Sequence, residues 1–179
     1  PYTPRSRSYQ EGAARITIGD LVKNALRQCP DRIVVGEVRG GEAFHLLRAL
    51  STGHGGGLGT IHANDAEDAL HQLQLLAQMS DVSGLTASTV AAMVGRAVDV
   101  VVYQGYFEEG NARRVSEILE MQRPGVVLGR GGGVEYKFAR LAHWNAETGD
   151  WTYPDPPSET LRKTLTRKGL EWPTAFPSR

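Results

Sequence analysis

The chain has 179 residues, 20 Lys+Arg against 20 Asp+Glu, and 40% hydrophobic content, enough for one domain with a real core and room for a small appendage. Zero formal charge gives no electrostatic argument for a nucleic-acid or acidic-lipid partner, and the single cysteine, Cys29, excludes an internal disulfide framework and fits a reducing compartment. No apolar run approaches the ~18 residues of a membrane-spanning helix, and the polar first fifteen residues carry no secretory signal.

Residues 1–14 form a Pro/Ser/Arg-rich lead-in; the opening "PYTPRSRSYQEG" lacks an initiator Met and reads as part of something longer. "ITIGDLVKNALRQCP" predicts a short strand feeding a helix. Thr17 and Asp20 have capping-box spacing, Leu21, Val22, Ala25 and Leu26 form an apolar stripe, and Pro30 closes the helix. A strand over Arg32–Val38 follows, then a Gly40-Gly41 turn and the helix "EAFHLLRALSTG" with Gly53 at its C-terminal cap. The loop "HGGG" leads into a second strand, "LGTIHA". Asn64 and Glu67 are expected to cap the next helix, whose Leu70, Leu73, Leu76 and Ala77 line one face. A helix over Ala87–Ala97 and a buried strand, "VDVVVYQ", complete this rhythm.

Beyond it, "YFEEGNARRVSEILEM" predicts a strand, a turn at Glu109-Gly110-Asn111 and a returning strand, and "RPGVVLGRGGG" predicts a loop. "VEYKFARLAHWNAETGDWTY" gives a hairpin turning at Thr148-Gly149-Asp150, followed by the basic helix "SETLRKTLTRKGL" and a Pro-rich tail. Alternation from Ile16 to Gln104 predicts a parallel, doubly wound sheet, with residues 105–155 as antiparallel additions at one edge. The class is α/β.

Ligands of open parallel sheets sit outside the carboxyl ends of the strands. Glu37 and His62 both fall at such ends, one βαβ unit apart. A carboxylate there can orient or activate a water, and an imidazole can hydrogen-bond a phosphoryl oxygen. Arg39 and His54 are further donors, and Gly53–Gly57 permits close backbone approach to a ligand. Singly, each has a plainer reading: Glu37 paired with Arg39, His62 a histidine near a helix cap, the glycines a turn. Their order and spacing shift the balance towards a site. A zinc set of Glu37, His54 and His62 is a weaker alternative, because the spacing does not resemble a structural Cys/His site. No G-x-S-x-G elbow is present, and no G-x-x-x-x-G-K-[ST] phosphate loop.

"ITIGDLVKNALRQCPDRIVVGEVRGGEA" followed by "LSTGHGGGLGTIHAND" resembles the secretion-ATPase superfamily of type II and type IV secretion, conjugation and pilus systems, most of all the CpaF/TadA-type ATPases of Flp pili. The resemblance runs from about Glu11 to Glu120 and implies a RecA-like fold without its P-loop strand. Residues 15–122 then form the C-terminal part of the ATPase domain, and 123–179 a family-variable hairpin, helix and tail. "RIVVGEVRG" is similar to an atypical Walker B segment, with Gly36 in the place of the usual aspartate and Glu37 as the catalytic glutamate. "TGHGGGLGTIHA" is similar to the family's His box, with His54 and His62 as its histidines and His62 against the γ-phosphate. Arg5 or Arg7 falls near the last of the family's arginines that reach a neighbouring subunit. The likeness further implies ATP and Mg²⁺, a homo-hexamer, a cytoplasmic place peripheral to the inner membrane, an inner-membrane platform protein as partner, and no nucleic acid. The family's Walker A loop and Asp box are absent from these residues, so this chain alone is expected to hydrolyse ATP hardly at all. The alternative is a non-catalytic interaction or regulatory module of the same fold.

Overall fold

Thr17 does not begin a strand. It is the N-cap of α1 (Ile18–Leu26), where its side chain accepts from the Asp20 N–H while Asp20 accepts from the Thr17 N–H, a complete capping box. The computed structural model that shows this describes residues 16–51, 56–107, 111–129 and 133–170. Two helices and two short strands follow: β1 (Val34–Val35), α2 (Glu42–Ser51), β2 (Leu58–Gly59) and α3 (Ala66–Gln78). The expected Gly53 cap lies outside the described residues. Asp65, rather than Asn64, caps α3, accepting from the Asp68 N–H at 2.7 Å. Asn64 instead donates its own N–H to Asp68, so Asp68 takes the part expected of Glu67.

β1 and β2 pair in parallel, Val34 with Leu58 and Val35 with Gly59. They are shorter than their sequences suggest because, among the described residues, each is paired on one side only, and two-stranded sheets are marginal. The hydrogen bonds nevertheless reach further: Leu58 donates to the Ile33 carbonyl at 2.9 Å, and Val38 to that of Thr60 at 2.8 Å. Val35 is buried towards the helices, whereas Val34 and Leu58 share a bare face, 67% and 64% exposed.

α4 (Ala87–Ala97) occupies the residues its periodicity indicates, capped by Thr86. The strand after it, β3 (Val100–Phe107), is neither buried on both faces nor in the parallel sheet. Val100 and Val102 are exposed, and the strand opens a separate antiparallel sheet of order β3-β4-β5-β6. The other members are β4 (Ala112–Leu128), β5 (Val134–Asn145) and β6 (Asp150–Thr152). "RPGVV" is thus not a loop: it lies inside β4, where the ladder slips between Met121 and Val126. The Gly/Pro signal marks an irregularity in a strand rather than its end. α5 (Glu159–Arg167) is held at its first turn, where the buried Glu120 carboxylate accepts from the N–H and hydroxyl of its N-cap Ser158.

One apolar cluster unites these parts. Leu47 of α2, Leu70 of α3, and Val90 and Val94 of α4 are fully buried, and Met121 of β4 and Tyr136 of β5 join them. Each such Leu or Val contributes about 1.5–3 kcal/mol by leaving water. At the seam between helices and sheet, Gly125 has φ +84° and sits against the backbone of Gly95 in α4. Beside it, Arg123 donates to the Gly95 and Arg96 carbonyls and pairs with Asp99 at 2.5 Å.

Candidate active site

Glu37 lies two residues past β1, and His62 three past β2. Because the strands are parallel neighbours, both side chains emerge at one carboxyl edge. The backbone beneath them is tied across the pair, with Thr60 Oγ1 donating to the Gly36 carbonyl at 2.5 Å. The turn after Val38 is set by Glu42 in the first turn of α2. Its Oε1 accepts from the N–H groups of Arg39 (2.8 Å) and Gly40 (3.1 Å).

This turn brings Arg39 Nη2 to 2.5 Å from Glu37 Oε2. The Arg39 hydrogen bond holds the Glu37 carboxyl below its ordinary range, against the opposing effect of its burial, and the charges of Arg39 and His62 act in the same direction as the bond. His62 Nε2 lies 3.0 Å from the other oxygen, Oε1. That oxygen is shut off from solvent and has no aligned donor. The carboxylate is therefore asymmetric: one oxygen is neutralised by a guanidinium and the other is left seeking a proton. His62 is 92% exposed, so its imidazole is open to an incoming group. Gly36 is exposed, and a Cβ placed there would touch nothing within 4 Å.

The sequence expectations thus meet in part. Glu37, Arg39 and His62 come together, with Gly36 beneath them. His54, Arg5 and Arg7 lie outside the described residues, and so does the zinc set that needs His54. Among the described residues no group of three or more His, Cys, Asp or Glu side chains converges as a metal site.

An open cleft of about 410 Å³ adjoins the pair, lined by Glu37, Arg39, His62 and Gln72 with the apolar Val38, Ile61 and Leu76. Gln72 is the group that the sequence reading missed. The available signal was helical spacing: Asp68, Gln72 and Leu76 are four apart and share the face that starts beside His62. His71, on another face of α3, stacks edge-on against Tyr136 at 5.1 Å. Tyr136 donates to Gln74 Oε1 at 2.8 Å, and burial raises its phenol above the ordinary value.

α3 is also held at its start. Glu117 of β4, 6% exposed, accepts from the Ala66 N–H at 3.3 Å and lies 2.6 Å from Arg140 Nε. A buried carboxylate at a helix N-terminus is favourably placed against the helix dipole. Chemically, the cleft combines an ionised carboxylate, an exposed imidazole and a guanidinium. Such a set can hold a water against an electrophile and donate to the oxyanion that forms.

The profile of the family described as "Type II/IV secretion system protein" matches residues 6–118. A putative conjugal transfer protein of Mycobacterium tuberculosis is 35% identical over 143 residues, covering 80% of this chain and 37% of that protein. The type IV secretion system protein PtlH of Bordetella pertussis is 41% identical over 107 residues, 59% of this chain and 32% of its own length. Among solved structures, the VirB11 ATPase of the Brucella suis type IV secretion system, in complex with sulphate, superposes with a TM-score of 0.55 at 30% identity. That match covers 57% of this chain and 31% of the other, so the chain spans about a third of the length of these proteins. The fold is the α/β, RecA-like one of such ATPases, with a parallel sheet flanked by helices and an antiparallel sheet beside it.

Proposed function

Since the chain belongs to the type II/IV secretion system protein family, we propose that it supplies the water-positioning part of an ATPase that drives a secretion or pilus-assembly machine. The observation that carries this reading is the approach of Glu37 and His62, 3.0 Å apart at the carboxyl edge of neighbouring parallel strands. His62 turns Nε2 from Glu37 Oε1 to donate to a γ-phosphoryl oxygen, and so uncovers that carboxylate oxygen. Glu37 Oε1 then accepts a proton of the attacking water and aligns its lone pair with the γ-phosphorus. Arg39 keeps Glu37 ionised, and the open space at Gly36 lets the phosphate chain approach the strand end.

These residues fit the reacting end of ATP and no more of it. The sequence holds no G-x-x-x-x-G-K-[ST] loop to cradle the remaining phosphates. Mg²⁺ takes one or two carboxylates together with phosphate oxygens. Glu37, already bound by Arg39, does not make a cation site by itself, so Mg²⁺ belongs with the phosphates and with groups beyond this set. On this reading His54 joins His62 near the γ-phosphate, and Arg5 or Arg7 reaches the nucleotide of a neighbouring subunit. The complete polypeptide works as a homo-hexamer on the cytoplasmic side of the inner membrane against a membrane platform protein. No described helix is long and apolar enough to cross a membrane. The bare apolar face of Val34 and Leu58 supports the view that further structure covers this sheet in the working assembly.

The test is Glu37→Gln in the complete polypeptide. ATP turnover is expected to fall at least about 100-fold, while calorimetric binding of ATP with Mg²⁺ persists. Undiminished turnover removes Glu37 from this role and the reading with it. The isolated 179-residue chain is expected to bind ATP weakly or not at all.

A further inference from the structure

We infer that Gln72 is a further water-facing group of this site, a carboxamide that shares with Glu37 the task of fixing the attacking water. The inference rests on the ATPase reading above and adds to it a residue on a different element.

Gln72 is half-buried on α3 and lines the same cleft as Glu37, Arg39 and His62. It is the one uncharged amide there, and it enters from the helix side, opposite the strand ends. Asp68, one helical turn earlier on the same face of α3, accepts from the Asn64 backbone N–H and from Asn64 Nδ2, each at 2.9 Å. The segment just after His62 is thereby tied to the turn of α3 that precedes Gln72.

The chemistry suits the position. A carboxamide is both donor and acceptor and does not titrate. On a side chain that lines the cleft, the carbonyl oxygen can accept from a bound water and the N–H groups can donate. Glu37 Oε1 has no aligned donor of its own. Once His62 Nε2 has turned from Glu37 Oε1 to a phosphoryl oxygen, a water between Glu37 and Gln72 donates one proton to Oε1 and the other to the Gln72 carbonyl, which aims its lone pair out of the cleft. Glutamines orient attacking waters in this way in other phosphoryl-transfer enzymes. Glu37 takes up the proton and Gln72 stays neutral throughout, so the step balances with ADP and phosphate as products.

The experiment measures steady-state ATP turnover and ATP·Mg²⁺ binding in the complete polypeptide for Gln72→Ala, Gln72→Asn, Gln72→Glu and Glu37→Gln, with melting temperature as the control for folding. Gln72→Ala is expected to lower kcat about tenfold, the loss typical of one hydrogen bond made in the transition state, with KM for ATP and melting temperature nearly unchanged. Gln72→Glu restores an acceptor, but one that titrates: its kcat recovers only as pH rises through the carboxyl range, unlike that of the wild type. A Gln72→Ala enzyme with wild-type kcat overturns the inference, as does a loss matched by a fall in melting temperature and shared by all three Gln72 variants. If Glu37→Gln itself retains turnover, the underlying ATPase reading fails instead.

Discussion

Glu37 shows how one ion pair divides the duties of a carboxylate, and three further titrating residues show what such pairings do to stability. The carboxyls of Asp20, Glu37 and Asp68 are all held below their ordinary values: by Thr17 in the first case, by Arg39 in the second and by the Asn64 backbone in the third. Their folded values lie below their unfolded ones. The stability they add is therefore complete above about pH 5 and is lost as pH falls through the unfolded and then the folded values. His45 acts in the same direction from higher up. Burial, with the charges of Lys23 and Arg48 adding and that of Asp20 opposing, holds its imidazole below 6.5. Folding disfavours the protonated ring, so stability falls as pH drops below about 6.5. Melting temperature against pH is expected to show a decline beginning near pH 6.5 and a steeper one below about pH 5. His45→Gln removes the first and leaves the second. An unchanged profile in that variant excludes His45 as its source.

Helix boundaries follow local chemistry, and the sequence reveals them well. The Thr17/Asp20 capping box is present as its spacing indicates, and α4 runs over Ala87–Ala97 as its apolar pattern does. Thr17→Ala leaves the Asp20 N–H without its side-chain acceptor and is expected to cost about 1 kcal/mol, read as a lower urea midpoint at unchanged m. Strands were less legible, because a strand is completed by its neighbour rather than by its own residues. "RIVV" reads as part of a strand over Arg32–Val38, yet only Val34–Val35 pair, and Val34 is bare because nothing among the described residues covers it. "VDVVVYQ" carries the same β-branched signal but pairs antiparallel, and no local residue encodes that choice. The cleft divides likewise. That Glu37 and His62 meet at its rim is legible because both stand at strand ends. That Gln72 faces the same cleft is not, because one amide on a helix face gains meaning only from what lies across from it.

The molecule as a whole depends on a seam where α3 and α4 meet the four-stranded sheet, and at Gly125 the backbone of β4 lies against that of α4. Any Cβ at that position meets the Gly95 backbone, and φ +84° is itself unfavourable for other residues. Gly125→Ala is expected to destabilise the fold by about 2–4 kcal/mol, seen as a clear drop in melting temperature. Gly149→Ala, at φ +71° with open space around it, carries only the backbone cost and loses about 1 kcal/mol. Equal losses at the two positions mean that the helix–sheet approach is not the limiting contact.

The grip of that sheet on α3 has a mechanical side. Glu117 holds the first turn of the helix at Ala66, and Tyr136 holds its middle at Gln74 and His71. With two anchor points about eight residues apart, or ~12 Å along the axis, a pivot of α3 about either one breaks the contact at the other. A displacement of α3 at its His62 end must therefore give up one of these contacts or take β4 and β5 with it.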